Sequence, residues 1–297
     1  MERIDLQGQP LNLDLTLACG QAFRWRNDNG IWRGVVRDKL VELAMDGGEL
    51  LWRTYPSNDK ALVEGYLCLH EDINSIYEAL SIADPYLAKL IQNYHGLRLL
   101  RQDPSETLLS FICSAASNIP RIMGAVETLA QKYGDLVCEN AGSCYYAFPS
   151  MEVIADADIA TLRQIPQLAF RGVNIKTAAQ QILKRGEGWL ISLRDASYHE
   201  ARVELINLRG VGLKIADCVC LFSLDKYEAV PVDTHIKQLA ERLFLPQINA
   251  KSMTVGVYNR ISEVFIERYG KYAGWAQQFL YYEDLLRTRA LGRARLN

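Results

Sequence analysis

The apolar residues of this chain change their period once, near residue 58, and that change confines its architecture to a small sheet followed by a helical body. Before it, Trp32-Arg33-Gly34-Val35-Val36 and Val41-Glu42-Leu43 alternate with period 2, and Phe23-Arg24-Trp25 reads the same way. Asn27-Asp28-Asn29-Gly30 and Asp46-Gly47-Gly48 supply the turns between them, which predicts an antiparallel meander. From Asn58 onward the period is 3.6, with Leu62, Tyr66 and Leu67, then Ile76 and Leu80, then Leu87, Leu90 and Ile91. Almost everything beyond reads as short helices, broken at Pro104, Pro120, Pro149, Pro166, Gly186–Gly188, Gly210–Gly212, Pro231 and Pro246. The expected class is α+β: a small N-terminal antiparallel β-rich domain with trailing helices over 1–98, and an all-α domain over 99–297.

Of 297 residues, 49% are hydrophobic and 23% charged, the balance of a folded chain with a core of useful size. No stretch approaches the roughly 18 consecutive apolar residues of a membrane span. Met1-Glu2-Arg3-Ile4-Asp5-Leu6 has neither a basic nor an apolar leader region, so a cytoplasmic, non-secreted protein is expected. The seven cysteines form no C-x2-C pair, which points to reduced thiols and away from a zinc or iron–sulfur site. No cofactor is expected. A net charge of −2 argues against non-specific coating of nucleic acid but leaves room for a local basic face. Arg287-Thr288-Arg289 through Arg293-Ala294-Arg295 is one candidate for that face.

Residues 197–243 carry the chemistry. Ser197 with Glu200 three residues later is a capping-box start, and the helix it opens is expected to run to about Leu208. It stops at Arg209-Gly210-Val211-Gly212, and a second helix begins at Leu213, making a hairpin of about 199–225. The backbone N–H groups of Gly210, Val211 and Gly212 suit a phosphate oxygen, although on the glycines alone an ordinary helix–helix corner is the better reading. Lys214 falls in the first turn of the second helix, where the positive end of the helix dipole disfavours its ammonium form. A partly desolvated amine there could act as a nucleophile, the alternative being a solvated surface lysine. Asp233, in Val230-Pro231-Val232-Asp233-Thr234-His235, precedes the periodic Ile236, Leu239, Ala240 and Leu243 and reads as an N-cap. It lies one helix and one tight return beyond Lys214, so its carboxylate could orient the amine, relay its proton or stabilise a cationic transition state.

Gly210-Val211-Gly212-Leu213-Lys214-Ile215-Ala216-Asp217-Cys218, followed by Val230 to His235, resembles the helix–hairpin–helix and Gly/Pro…Asp signature of the base-excision glycosylase superfamily. Within it the chain is most similar to eukaryotic-type 8-oxoguanine DNA glycosylases. Cys19-Gly20-Gln21-Ala22-Phe23-Arg24-Trp25, Arg98 to Pro104 with Ser110 to Ser114, and Tyr272-Ala273-Gly274-Trp275-Ala276-Gln277 support that narrower match. The resemblance covers nearly the whole chain. It implies a DNA glycosylase and lyase in which Lys214 attacks the anomeric carbon and expels the base, Asp233 assists, and the resulting imine permits β-elimination. The implied partner is double-stranded DNA containing an oxidised base, met by a monomer.

The resemblance also implies a pocket for the flipped base. The Gly20 carbonyl would accept the N7 proton that 8-oxoguanine carries, Gln277 would bond the Watson–Crick edge, and Cys218 and Tyr281 would sandwich the ring. His235 would hold a phosphate or pocket wall, and Asp284 would be a further pocket acid. Taken singly, Gly20 could be a strand bulge, Cys218 a core residue, Gln277 a surface amide and Tyr281 a core aromatic. Asn118 and Arg121 are retained at the DNA face, and Phe170, followed by Arg171, stands where the family has a wedging tyrosine. Tyr281 replaces a stacking phenylalanine. Ala116 falls where the family has an asparagine that fills the gap left by the flipped base, so weaker discrimination for cytosine opposite the lesion is expected. A glycosylase for other oxidised or alkylated bases is the alternative enzyme, although alkyladenine-type relatives usually lack the lysine. A non-catalytic DNA-binding module is the alternative outside catalysis.

Overall fold

The computed structural model describes every residue except 141, 187, 248–250 and 295–297. Its N-terminal part holds β1 (Glu2–Ile4), α1 (Leu13–Ala18), β2 (Arg26–Asp28), β3 (Ile31–Val36), β4 (Lys39–Asp46) and β5 (Glu49–Tyr55). The strands form one antiparallel sheet in the order β1-β5-β4-β3-β2, so the expected meander is present with β1 added at its edge. The register pairs Trp32 with Leu43 and Leu43 with Trp52, which sets three large side chains side by side on one face. With Trp25, Val41 and Leu50 they make a small core of their own. The adjacent pairs Arg33–Glu42 and Glu42–Arg53 project from the opposite face, where both guanidiniums bind the Glu42 carboxylate at 2.7 and 2.6 Å. Burial pushes this carboxyl up, but the hydrogen bonds from Arg33 and Arg53 outweigh it and hold it below the usual carboxylate range.

Phe23-Arg24-Trp25 is not a strand, contrary to expectation; β2 begins one residue later. These side chains instead join the sheet to the helices. Phe23 packs edge-on against Phe111 at 5.3 Å, and the Trp25 indole N–H donates to the Tyr66 hydroxyl at 2.8 Å. The helix α1 and strand β5 were not expected, since Glu49-Leu50-Leu51-Trp52 breaks alternation.

The remainder comprises α2 (Lys60–Tyr66), α3 (Ile73–Ala83), α4 (Pro85–Asn93), α5 (Pro104–Cys113), α6 (Ile119–Tyr133), the hairpin β6 (Leu136–Asn140) and β7 (Ser143–Tyr146), α7 (Met151–Asp156), α8 (Ile159–Arg163) and α9 (Arg171–Arg185). Then follow α10 (Trp189–Ser192), α11 (Tyr198–Ile206), α12 (Leu213–Ser223), α13 (Thr234–Leu243), α14 (Val255–Tyr269), a short 3-10 turn and α15 (Ala273–Ala294). The β6–β7 hairpin interrupts a stretch expected to be helical, and Asn140 ties it to the sheet by donating to Glu42 at 3.2 Å. Pro104 and Pro120 do not merely break helices; they open α5 and α6 behind the capping residues Asp103 and Asn118. The main core spans the helical body and draws on α3 and α4. At its centre α5 and α12 pack together, with eight of ten and nine of eleven residues buried. No helix among the described residues is long and apolar enough to cross a membrane. Of the basic C-terminal run, Arg287 is exposed on α15; Arg295 and the side chains from residue 289 onward lie outside the described residues.

Candidate active site

The capping box is formed: the Ser197 hydroxyl accepts from Glu200 N and Ser197 N donates to the Glu200 carboxylate at 2.9 Å. The helix ends at Ile206, two residues short of expectation. Gly210 takes φ +81°, and a Cβ there would lie 2.6 Å from Asn174 on α9, so this corner requires glycine. Val211 is buried, and its N–H already donates to the Leu208 carbonyl at 3.1 Å. Gly212 opens α12 with no side-chain cap, which leaves the first-turn N–H groups of that helix to another acceptor.

Lys214, half-buried in that first turn, donates from Nζ to Ser114 Oγ at 3.1 Å. It also lies 4.8 Å from the centroid of the Phe111 ring. Ser114 Oγ in turn donates to the Phe111 carbonyl at 2.6 Å, which turns its lone pairs toward the amine. Asp233 is the N-cap of α13, accepting from Ile236 N at 2.9 Å through Oδ1. The charges of both residues reach Cys218. Burial pushes that thiol up to about 12, Lys214 pulls it down, and Asp217 and Asp233 push it further up. Cys218 is therefore a neutral, apolar wall beside the amine.

The remaining residues expected to line the base pocket gather around α15. Gly20, in the loop after α1, has φ +88°; a Cβ there would stand 3.3 Å from Ile119 and 3.4 Å from the Tyr281 ring. The loop is anchored by Gln278, whose amide donates to the Cys19 carbonyl at 3.3 Å. Gln277 is 4% exposed, and its Oε1 is buried with no protein partner. His235 packs edge-on to Tyr281 and shares a 2.8 Å hydrogen bond through Nδ1 with Asp284 Oδ2. Arg242 stands 3.8 Å from the other oxygen of that buried carboxylate.

The turn of residues 114–117 begins at Ser114, the partner of Lys214. Ala116 is exposed with φ +48°, a left-handed backbone unusual for alanine. Asn118 caps α6 by accepting from Arg121 N at 3.1 Å, and Arg121 is exposed. Phe170 is 60% exposed. Arg171, expected to meet DNA, is buried instead: its guanidinium donates to the Ala115 carbonyl at 2.6 Å and to the Ala116 carbonyl at 2.8 Å. It braces the turn, because guanidinium donors removed from water need acceptors.

Comparison with known proteins decides the family. Residues 3–108 match the N-terminal domain of 8-oxoguanine DNA glycosylase, and residues 109–255 match the HhH-GPD superfamily of base-excision DNA repair proteins. An N-glycosylase/DNA lyase of Arabidopsis thaliana is 32% identical over 95% of this chain and 79% of its own length. That of Saccharomyces cerevisiae is 31% identical over 95% and 86%. The structure of the Clostridium acetobutylicum 8-oxoguanine glycosylase/lyase with double-stranded DNA superposes with a TM-score of 0.84 at 32% identity, covering 94% of this chain and 93% of that one. The chain belongs to the 8-oxoguanine DNA glycosylase/lyase family.

Three features of this glycosylase/lyase site were not read from the sequence. Ser114 was not singled out as a partner of Lys214, because the two are a hundred positions apart and only the packing of α5 on α12 joins them. An open cleft of about 480 Å³ beside Phe170, lined by the exposed Arg163 and Arg209 together with Asn174, has no signal in sequence spacing. Asp217 lies within the hairpin motif, where the sequence carries no signal for its role. It is fully buried, with Tyr198, Arg202 and Tyr258 converging on it. Burial pushes its carboxyl up to about 6, against the downward pull of Arg202 and of both hydroxyls.

Proposed function

We propose that this chain excises 8-oxoguanine from duplex DNA, with Lys214 as nucleophile and Asp233 as the assisting carboxylate. The bond from Nζ to the anomeric carbon forms as the glycosidic bond breaks, and the base leaves with that bond's electron pair. Opening of the sugar gives an imine, and loss of a proton from C2′ then expels the 3′ phosphate and nicks the strand. The observation that carries the reading is the placement of Lys214: a half-buried amine in the first turn of α12, held by Ser114 and the Phe111 face. The lesion class is supported by the buried unpaired Gln277 Oε1 and by the names of the relatives. Gly20, Cys218, Tyr281, His235 and Asp284 form the base pocket. The hairpin from Gly210 to Gly212, with Asn118, Arg121 and Phe170, meets the DNA backbone and the opposite strand. The protein acts as a monomer in a reducing, cytoplasmic setting, which its free thiols suit.

The test is single-turnover excision from duplexes carrying 8-oxoguanine opposite each of the four bases. Base release and strand nicking are expected opposite cytosine and, because Ala116 cannot hydrogen-bond through its side chain, opposite the other bases at rates within about tenfold. Absence of release from all four would overturn the lesion assignment. A strong cytosine preference would overturn the role given to Ala116.

A further inference from the structure

The carboxylate of Asp233 is tied to Ile236 N at the start of α13, but the backbone leading to it, Val230–Asp233, has no regular secondary structure, so where that cap stands depends also on what holds this segment. Tyr258 on α14 holds it. The Tyr258 hydroxyl accepts from Val232 N at 3.1 Å, one residue before Asp233, and lies 3.3 Å from the Val230 carbonyl. A phenol has one proton, and the short 2.6 Å contact directs it to Asp217 Oδ2. Asp217 rides on α12, about one turn beyond Lys214. Its other oxygen accepts from the Tyr198 hydroxyl at 2.9 Å and pairs with Arg202 Nε at 2.9 Å.

From this geometry we infer that Asp217 and Tyr258 are positioning residues that set where the Asp233 carboxylate stands relative to the Lys214 amine. The inference rests on the catalytic roles proposed above for Lys214 and Asp233. Only two links separate the helix bearing the nucleophile from the residue preceding the carboxylate: Asp217 to the Tyr258 hydroxyl, and that hydroxyl to Val232 N. An apolar pair could join α12 and α14 as tightly without burying a carboxylate, which is costly unless its partners are well placed. What a polar chain adds is direction and length, since hydrogen bonds fix both where packing fixes neither. Asp217 and Tyr258 touch no substrate; they act through the backbone of Val232.

Tyr258→Phe keeps the ring in the core and removes the link. Its single-turnover excision of 8-oxoguanine should fall roughly 10- to 100-fold, the scale of a displacement of about 1 Å. Affinity for the lesion duplex should stay within about twofold, because the DNA face is untouched. β-Elimination at a preformed abasic site should stay within about threefold, because Lys214 keeps its own anchors at Ser114 and Phe111. Asp217→Asn leaves one acceptor oxygen where two stood, so it should weaken the link to the Tyr258 hydroxyl without removing it and lose less. Excision unchanged in Tyr258→Phe, or excision, elimination and affinity falling together with the melting temperature, would overturn the inference and leave the pair a purely structural one. Lys214→Gln, run alongside, separates the two levels: excision surviving in that variant would sink the reading of the site, and this inference with it.

Discussion

The base-pocket side of the site is buried in the helical core, whereas the side proposed to meet the opposite strand stands on exposed turns. Gln277, Cys218 and Asp284 are buried on α12 and α15. Ala116, Asn118, Arg121 and Phe170 are exposed and are held by caps and by one brace, Arg171. The difference bears on the positions at which the resemblance implies departures from the family. A turn residue can change without repacking a core, and Ala116 and Phe170 lie on turns. On the pocket side, Tyr281 departs from the expected phenylalanine but keeps the ring that packs beside Gly20 and His235.

Substitutions on the two sides should therefore differ in kind as well as size. Gln277→Ala removes the amide proposed for the base pocket, whose buried oxygen has no protein partner. It is expected to lower kcat/KM for 8-oxoguanine by roughly 10- to 100-fold, the scale of leaving a polar partner unmatched. Steady-state kinetics with the lesion opposite cytosine would show it, and a change below twofold would remove Gln277 from the pocket. Ala116→Asn should act on the opposite base instead, raising the preference for cytosine about fivefold, the scale of one hydrogen bond of about 1 kcal/mol. It should also not destabilise the fold, since asparagine tolerates the left-handed backbone at φ +48° better than alanine does. Equal rates across the four opposite bases in that variant would break the comparison.

The smallest effect is expected away from both sides, at Glu106 in the first turn of α5, whose far end carries Phe111 and leads into Ser114. Burial pushes the Glu106 carboxyl up to about 7, against Arg24 and with help from Asp103. Because the folded value lies above the ordinary one of 4.5, its contribution to stability is full below that value and lost as the pH rises through about 7. Glu106→Gln should thus stabilise the protein at pH 8 by no more than about 1 kcal/mol, discounted for a side chain that is 21% exposed, and leave it unchanged at pH 4. Denaturant melts at the two pH values would check it. A change in excision rate would show that α5 transmits more to the site than packing alone.

Much of the fold was legible in the sequence because it rests on local signals. The period change placed the meander and the helices, the Ser197–Glu200 box opened α11, and Asp233 before a periodic run marked the N-cap of α13. Three kinds of feature were not legible. The strand β5 and the hairpin β6–β7 lack clean alternation, and their pairing is non-local. Phe23-Arg24-Trp25 alternates like a strand, yet its side chains serve the seam between sheet and helices, a tertiary demand that overrides local pattern. Arg171 is expected at the DNA face, and only the fold reveals two carbonyls within reach of its guanidinium. Tyr258 carries no motif at all, and its link to Val232 exists only because α14 packs where it does.

The most direct test of the central claim is borohydride trapping. The protein would be incubated with a duplex containing 8-oxoguanine opposite cytosine, reduced with sodium borohydride, and examined for a covalent protein–DNA species, with Lys214→Gln alongside. If Lys214 is the nucleophile, the parent is trapped and the variant is not, because only an imine is reduced to a stable amine. Base release by the parent without trapping, or trapping of both proteins, would contradict it: the first would make Asp233 the activator of a water molecule, and the second would place the nucleophile elsewhere.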